Sequence, residues 1–136
     1  MAQRLVRTIC KHCKTEQKVD IDYLRKIGFP AADISTAKVW HGAGCEECRQ
    51  QGYQGRKGIY ELLIVNEAIR PLIMNRSSAT TIAQRALGSG MRTLRDDGWI
   101  KVKGGETTIE EVLRVTQMEE HLESLAGGEQ TQFITR

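Results

Sequence analysis

Aromatic side chains are scarce, at 5% of the 136 residues. Any core must therefore be thin and aliphatic, and in so thin a core a bound metal has room to matter to stability. Long hydrophobic runs are missing too. No apolar stretch approaches the ~20 residues needed to cross a bilayer, and the N-terminus has neither the apolar segment nor the small-residue cleavage site of a secretory signal. A cytosolic protein is expected. A strong excess of one charge is also lacking: 20 basic against 17 acidic side chains leave a formal net charge of +3, which does not favour nucleic acid as a partner. The exception is the N-terminal stretch with Arg4, Arg7, Lys11, Lys14, Lys18, Arg25 and Lys26, which reads as a solvated surface. Internal repeats and low-complexity segments are absent. With 27% charged and 40% hydrophobic residues, the composition is that of a folded chain of one ordinary domain or two small modules.

Catalytic signatures are missing as well. No Gly-x-x-x-x-Gly-Lys-Ser/Thr occurs, so there is no P-loop to hold phosphates. The glycines at 42, 44, 52, 55 and 58 do not form a dinucleotide fingerprint, and Ser77, Ser78 and Ser89 have no His and carboxylate at suggestive spacing. Asp96 and Asp97 are adjacent, so on a helix they point about 100° apart; a helix-surface or hinge role is expected for them. This stretch by itself is not expected to catalyse a reaction.

What the chain does have is four cysteines in two matched pairs, Cys10-Lys11-His12-Cys13 and Cys45-Glu46-Glu47-Cys48, separated by 31 residues. Each pair offers two thiolates from one tight turn, and two such turns facing each other complete a tetrahedron around Zn²⁺. In a reduced compartment, metal is expected ahead of two disulfides or a redox pair. A closed four-sulfur shell leaves no open position, so the zinc is expected to be structural, with an apparent binding energy on the order of 10 kcal/mol. The long spacer implies that a helix and a strand are looped out between the pairs. His12 and His41 flank the knuckles as replacement ligands or, with four cysteines available, as neighbours or surface residues. His121 is expected to be exposed.

Around the knuckles the pattern predicts an α+β front module followed by a helical bundle. Residues 3–9 read as a strand running into Cys10, with nothing upstream in the chain to pair with it, so the segment reads as one cut from something longer. A short helix is expected over 21–27, capped by Asp20 and stopped by Gly28 and Pro30. Lys38-Val39-Trp40 reads as a brief strand and Ile59 to Val65 as the best strand. Helices are then expected after Asn66 (with Ile69, Leu72 and Ile73), after Ser77 or Ser78 (with Ile82, Ala83, Ala86 and Leu87), over 92–103 with Gly98 as a weak point, and after Thr107-Thr108. Glu110 and Glu111 stand at capping-box spacing from those threonines, and the last helix is expected to reach about Leu125.

Three blocks carry a resemblance. Ala2 to Arg7 running into Cys10-x-x-Cys13 is the first. The second is Cys45-x-x-Cys48 followed by Gly52-Tyr53-x-Gly55-Arg56-x-Gly58-Ile59-Tyr60-Glu61-Leu62-Leu63. The third is Met91 to Gly98 with Gly105-x-Thr107-Thr108-x-Glu110-Glu111-Val112-Leu113-Arg114-Val115-Thr116. In this order they resemble the C-terminal part of the type II secretion and type IV pilus-assembly ATPases.

The resemblance implies a fragment of a RecA-like, cytoplasmic, hexameric ATPase using ATP and Mg²⁺, with the nucleotide motifs upstream of this sequence. It also implies the metal ligands Cys10, Cys13, Cys45 and Cys48, contacts with the ATPase core and neighbouring subunits, and an inner-membrane platform as partner, which would put the parent at the inner membrane through its partners. The corresponding division is 1–9 as the end of the nucleotide-binding core, 10–65 as a tetracysteine zinc module, 66–126 as a helical domain and 127–136 as a tail. Arg56 is expected to make a polar contact across a subunit or to the core. The alternatives are a stand-alone zinc ribbon binding nucleic acid or a protein partner, an enzyme with a catalytic zinc, and a regulator that docks on such hexamers.

Overall fold

The computed structural model describes residues 1–116. The expected end of the last helix near Leu125, His121 and the tail at 127–136 lie outside the described residues. Strand β1 (Ala2–Ile9) leads into the first knuckle, and β2 (Lys14–Gln17) leaves it. Helix α1 (Ile21–Lys26), a short 3₁₀ turn (Ala31–Asp33) and β3 (Val39–Gly42) return the chain to the second knuckle, and β4 (Tyr53–Glu61) leaves that one. Helices α2 (Arg70–Met74), α3 (Ala79–Gly88) and α4 (Leu94–Lys103) follow, and a helical segment, α5, covers 109–116.

Two antiparallel ribbons frame the molecule. In one, β1 pairs with β4 from Ala2 opposite Glu61 to Ile9 opposite Tyr53; in the other, Lys14 faces Gly42 and Gln17 faces Val39. The strand before Cys10 is thus held by the strand that leaves the second knuckle. That exit strand starts at Tyr53, six residues earlier than expected at Ile59, and it ends at Glu61. Gly55 and Gly58 lie inside it instead of ending it: Gly58 pairs with Leu5, and Gly55, at φ 84°, sits where the β1–β4 register shifts.

Local caps form where short polar side chains can reach free N–H groups. Asp20 accepts from Asp22 N–H at the start of α1. Asn66 accepts from the N–H groups of Ala68 and Ile69, and Ser78 caps α3 by accepting from Thr81 N–H. Thr93 and Asp96 close a reciprocal capping box on α4, so Asp96 is a capping residue.

The core joins the front module to the last two helices. Leu24, Phe29, Ile34 and Val39 from the loop between the knuckles pack with Trp99, Val102, Ile109 and Val112. The Phe29 and Trp99 rings meet at 5.4 Å between centroids in a tilted arrangement. A second cluster joins Val6 and Ile59 of the β1–β4 ribbon to Leu94. Both clusters cross the boundary expected between 65 and 66. Gly98, the expected weak point of α4, is where the two helices touch: a Cβ there would lie 2.6 Å from Val112 Cγ1. By contrast, α2 buries no side chain and α3 buries only Ala86. No helix among the described residues is long and apolar enough to cross a membrane.

Candidate metal centre

The two ribbons bring the knuckles face to face. Cys10 ends β1 and Cys13 precedes β2, while Cys45 follows β3 and Cys48 precedes the turn into β4. All four cysteines are free thiols, and their Sγ atoms lie within 4.8 Å of one another. The Cys10–Cys45 and Cys13–Cys48 sulfurs are 3.8 Å apart and the Cys45–Cys48 pair 3.6 Å. A tetrahedron with metal–sulfur bonds of ~2.3 Å has edges of about 3.8 Å, which these three separations match. The four sulfurs could hold one metal ion. Neither His12, which is exposed, nor His41, which is half-buried, joins this group of ligand atoms.

The backbone prepares the sulfurs for charge. Cys48 Sγ accepts from the N–H groups of Cys45 at 3.3 Å and Gly52 at 3.2 Å. To bring Gly52 back to Cys48, the chain places Arg49 and Gln50 in the left-handed region, at φ 53° and 65°. That conformation is costly for residues with a Cβ, and it is held by Arg49 N–H donating to Glu46 O and Gln50 N–H to Cys45 O. Gly52 also accepts from Cys10 N–H at 3.0 Å, which ties one knuckle to the other. Gly42 and Gly52 pass so closely that a Cβ on Gly42 would overlap the Gly52 carbonyl. The close approach of β3 to the second knuckle therefore requires glycine.

The thiols are not equivalent. Burial works against a charged Cys48, yet the N–H groups of Cys45 and Gly52 and the sulfurs of Cys45 and Cys13 bring its thiol down to about 6. Burial pushes Cys13 up to about 12 against an opposing N–H from Gly44. The Cys48 N–H favours a Cys45 thiolate, but burial and the Cys48 and Cys10 sulfurs outweigh it and raise that thiol too. One thiolate forms readily, and further ones are opposed by crowding and low solvation. A dication held by the four sulfurs would reverse that balance by supplying the missing countercharge.

Beside the knuckles stands a polar cluster that sequence reasoning missed. Glu111 is buried, and its carboxylate accepts from Arg7 N–H at 2.8 Å, from Arg7 Nε at 3.0 Å and Nη2 at 2.7 Å, and from Arg114 Nε at 3.1 Å and Nη2 at 2.9 Å. Burial opposes its charge, but the hydrogen bonds from Arg114 and Arg7 prevail and hold it down to about 2. Arg7 stacks over the Tyr53 ring at 4.2 Å, and the Tyr53 hydroxyl pairs with Thr108 Oγ1 at 2.8 Å. The expected Thr108–Glu111 capping box is therefore only half made. Thr108 accepts from Glu111 N–H at 3.2 Å, while the Glu111 carboxylate is used on the arginines. Asp97, expected on the surface or at a hinge, is buried and accepts from Tyr60 N–H at 2.9 Å.

The match between this chain and the type II/IV secretion system protein family spans residues 1–114. Over 116 residues, 85% of the chain, it is 48% identical to a type IV pilus assembly ATPase PilB of Thermus thermophilus. Over 119 residues, 88% of the chain, it is 44% identical to a type II secretion system protein E of Pseudomonas aeruginosa. The chain belongs to the type II/IV secretion system protein family. It spans 13% of the length of the first of these relatives and 23% of the second.

Proposed function

We propose that this chain is the zinc-bearing C-terminal region of a cytoplasmic ATPase that powers type II protein secretion or type IV pilus assembly. Cys10, Cys13, Cys45 and Cys48 hold a structural Zn²⁺ in a closed four-sulfur shell. The observation that carries this reading is the convergence of four free thiols within 4.8 Å of one another, at separations that suit a thiolate tetrahedron, in a chain of this family. Bound there, the metal supplies countercharge and cross-links β1, β2, β3 and β4 at one point; Gly52 and Cys45 orient and solvate the sulfurs through their N–H groups. In the longer protein a RecA-like core binds ATP and Mg²⁺, and this region does not hydrolyse ATP itself. It acts as a brace: rigid coupling passes the rotation of a hexamer's core to an inner-membrane platform instead of losing it in a loose loop. Arg56, exposed on β4 opposite Arg7, makes the polar contact to the core or a neighbouring subunit.

Two measurements test the reading. The chain purified from zinc-supplemented cells is expected to carry one zinc per molecule, and its cobalt-substituted form to give the spectrum of four-sulfur tetrahedral coordination. Replacing Cys45 and Cys48 with Ser in the full-length protein is expected to lower thermal stability and to abolish secretion or piliation. A metal-free native chain, or a double variant that melts and functions like the parent, would overturn it.

A further inference from the structure

The segment at 106–111 grips the strand that enters the first knuckle and the strand that leaves the second, close to the sulfurs on both. On the entry side, Ile9 N–H donates to Glu106 O at 3.0 Å, Thr107 Oγ1 donates to Arg7 O at 2.7 Å, and Glu111 takes Arg7 N–H and its guanidinium. On the exit side, Tyr53 is held by Thr108 at 2.8 Å, one residue beyond Gly52, whose N–H donates to Cys48 Sγ. The outward backbone groups of Arg7 are thereby both satisfied by side chains of the C-terminal signature. A strand edge left open there would be free to shift or fray. Of the polar side chains in this signature, those of Thr107, Thr108 and Glu111 are spent inside the chain, none of them exposed.

We infer that Glu111 is a positioning residue for the metal centre, and that metal retention and docking of helix α5 are two ends of one equilibrium. The inference rests on the zinc reading above and goes beyond it by naming the carrier of the coupling. Arg7 is three residues from Cys10, across the register shift of β1, and Tyr53 is five from Cys48, along the hydrogen-bonded turn at 49–52. When α5 is seated, both knuckles are held at tetrahedral spacing; when it lifts, β1 and β4 lose their shared outer support and the sulfurs can separate. Linkage makes the effect reciprocal: the metal must stabilise α5 on its seat by as much as α5 stabilises the bound metal.

The test uses the full chain loaded with zinc and follows transfer of the metal to a colorimetric chelator at neutral pH. Glu111→Gln is expected to speed release about tenfold, in line with losses of outer-sphere support at other metal sites. Tyr53→Phe, which removes one hydroxyl and keeps the ring, is expected to speed it about two- to threefold. Ile69→Val, a conservative change at a buried position in the α2 region, is the control and is expected to release at the parent rate. Hydrogen exchange supplies the reciprocal reading: amides of 109–116 should lose protection when zinc is removed, and those of α3 should not. Glu111→Gln releasing zinc no faster than Ile69→Val, or α5 amides indifferent to zinc, would overturn the linkage while leaving the zinc site standing. A parent chain that takes up no zinc would overturn both.

Discussion

The frame around the sulfurs and the α2–α3 region are built in opposite ways. Around the sulfurs, hydrogen bonds knit the strands to the last helix, and His41 Nδ1 and Glu106 Oε2 are buried without a partner. Glu111 alone accepts five hydrogen bonds, and Trp99, Val102, Ile109 and Val112 are sealed in the core. In the other region, α2 buries nothing and α3 buries one alanine. Leu62, Ile64, Val65, Ile73 and Met74 stay exposed there, around a groove of about 450 Å³ lined by Leu62, Ile64, Ile69 and Met91. The difference separates side chains that this chain packs against its own residues from those it leaves exposed. It also predicts where substitutions will be costly.

The largest contrast concerns the metal. Stripping zinc with a strong chelator is expected to abolish the cooperative thermal transition of the framed region, read by near-ultraviolet circular dichroism. Helical signal from α3 should persist beyond that loss. A melt unchanged by chelation would erase the contrast. Next comes the core itself: Trp99→Ala should cost about 3–5 kcal/mol, because a large ring packed against Phe29 is lost and its site cannot collapse fully. Ile73→Ala, at an exposed position, should stay within about 0.5 kcal/mol in the same denaturant titration.

Acid sharpens the comparison further, because the charged cluster lies in the framed region. The Glu111 carboxyl sits at about 2 in the folded chain against an ordinary 4.5. Its contribution is therefore complete above about pH 4.5, fades as pH falls toward 2, and is gone below that. With the guanidinium partners half-exposed, the contribution is on the order of 2 kcal/mol after allowance for screening. Glu111→Gln should lower stability by that amount at pH 7, and its gap to the parent should narrow steadily between pH 4.5 and pH 2. A constant gap would mean that shape, not charge, is what Glu111 supplies.

How much of this was legible in the sequence follows from the range of each interaction. The knuckles were readable because two cysteines three apart form a ligand pair without help from elsewhere. The caps at Asp20, Ser78 and Thr108 were readable because a cap closes within three residues, whereas Asn66 binds the turn before α2, which has no side-chain cap of its own. Strand β2 was not readable: Lys14-Thr15-Glu16-Gln17 is polar on both faces, and only pairing with β3 makes it a strand. The start of β4 was hidden by Gly55 and Gly58, which look like turns until β1 lies beside them. Asp97 read as a surface or hinge residue and Glu111 as a capping residue because their partners, Tyr60 and Arg7, are 37 and 104 residues away. The apolar run at 62–65 misled in the other direction: it reads as strand, yet β4 ends at Glu61 and three of the four side chains beyond it are exposed.

Two glycines bring the comparison to its smallest scale. Gly98 lies in the framed region, where a Cβ would stand 2.6 Å from Val112 Cγ1 and 2.9 Å from Cγ2. Val112 is fully buried and β-branched, so it has no free rotamer into which to retreat. Gly98→Ala should therefore push α4 and α5 apart at a cost of about 1–2 kcal/mol, despite alanine's better helix propensity. Gly88 ends α3 in a region with nothing within 4 Å of the added carbon. There the same substitution only restricts the unfolded chain, and Gly88→Ala should stabilise by about 0.5 kcal/mol. The two variants share one chemical change and differ only in surroundings, so opposite signs in parallel urea titrations would isolate packing as the cause. Equal signs would mean that the two regions do not differ in the way their side chains suggest.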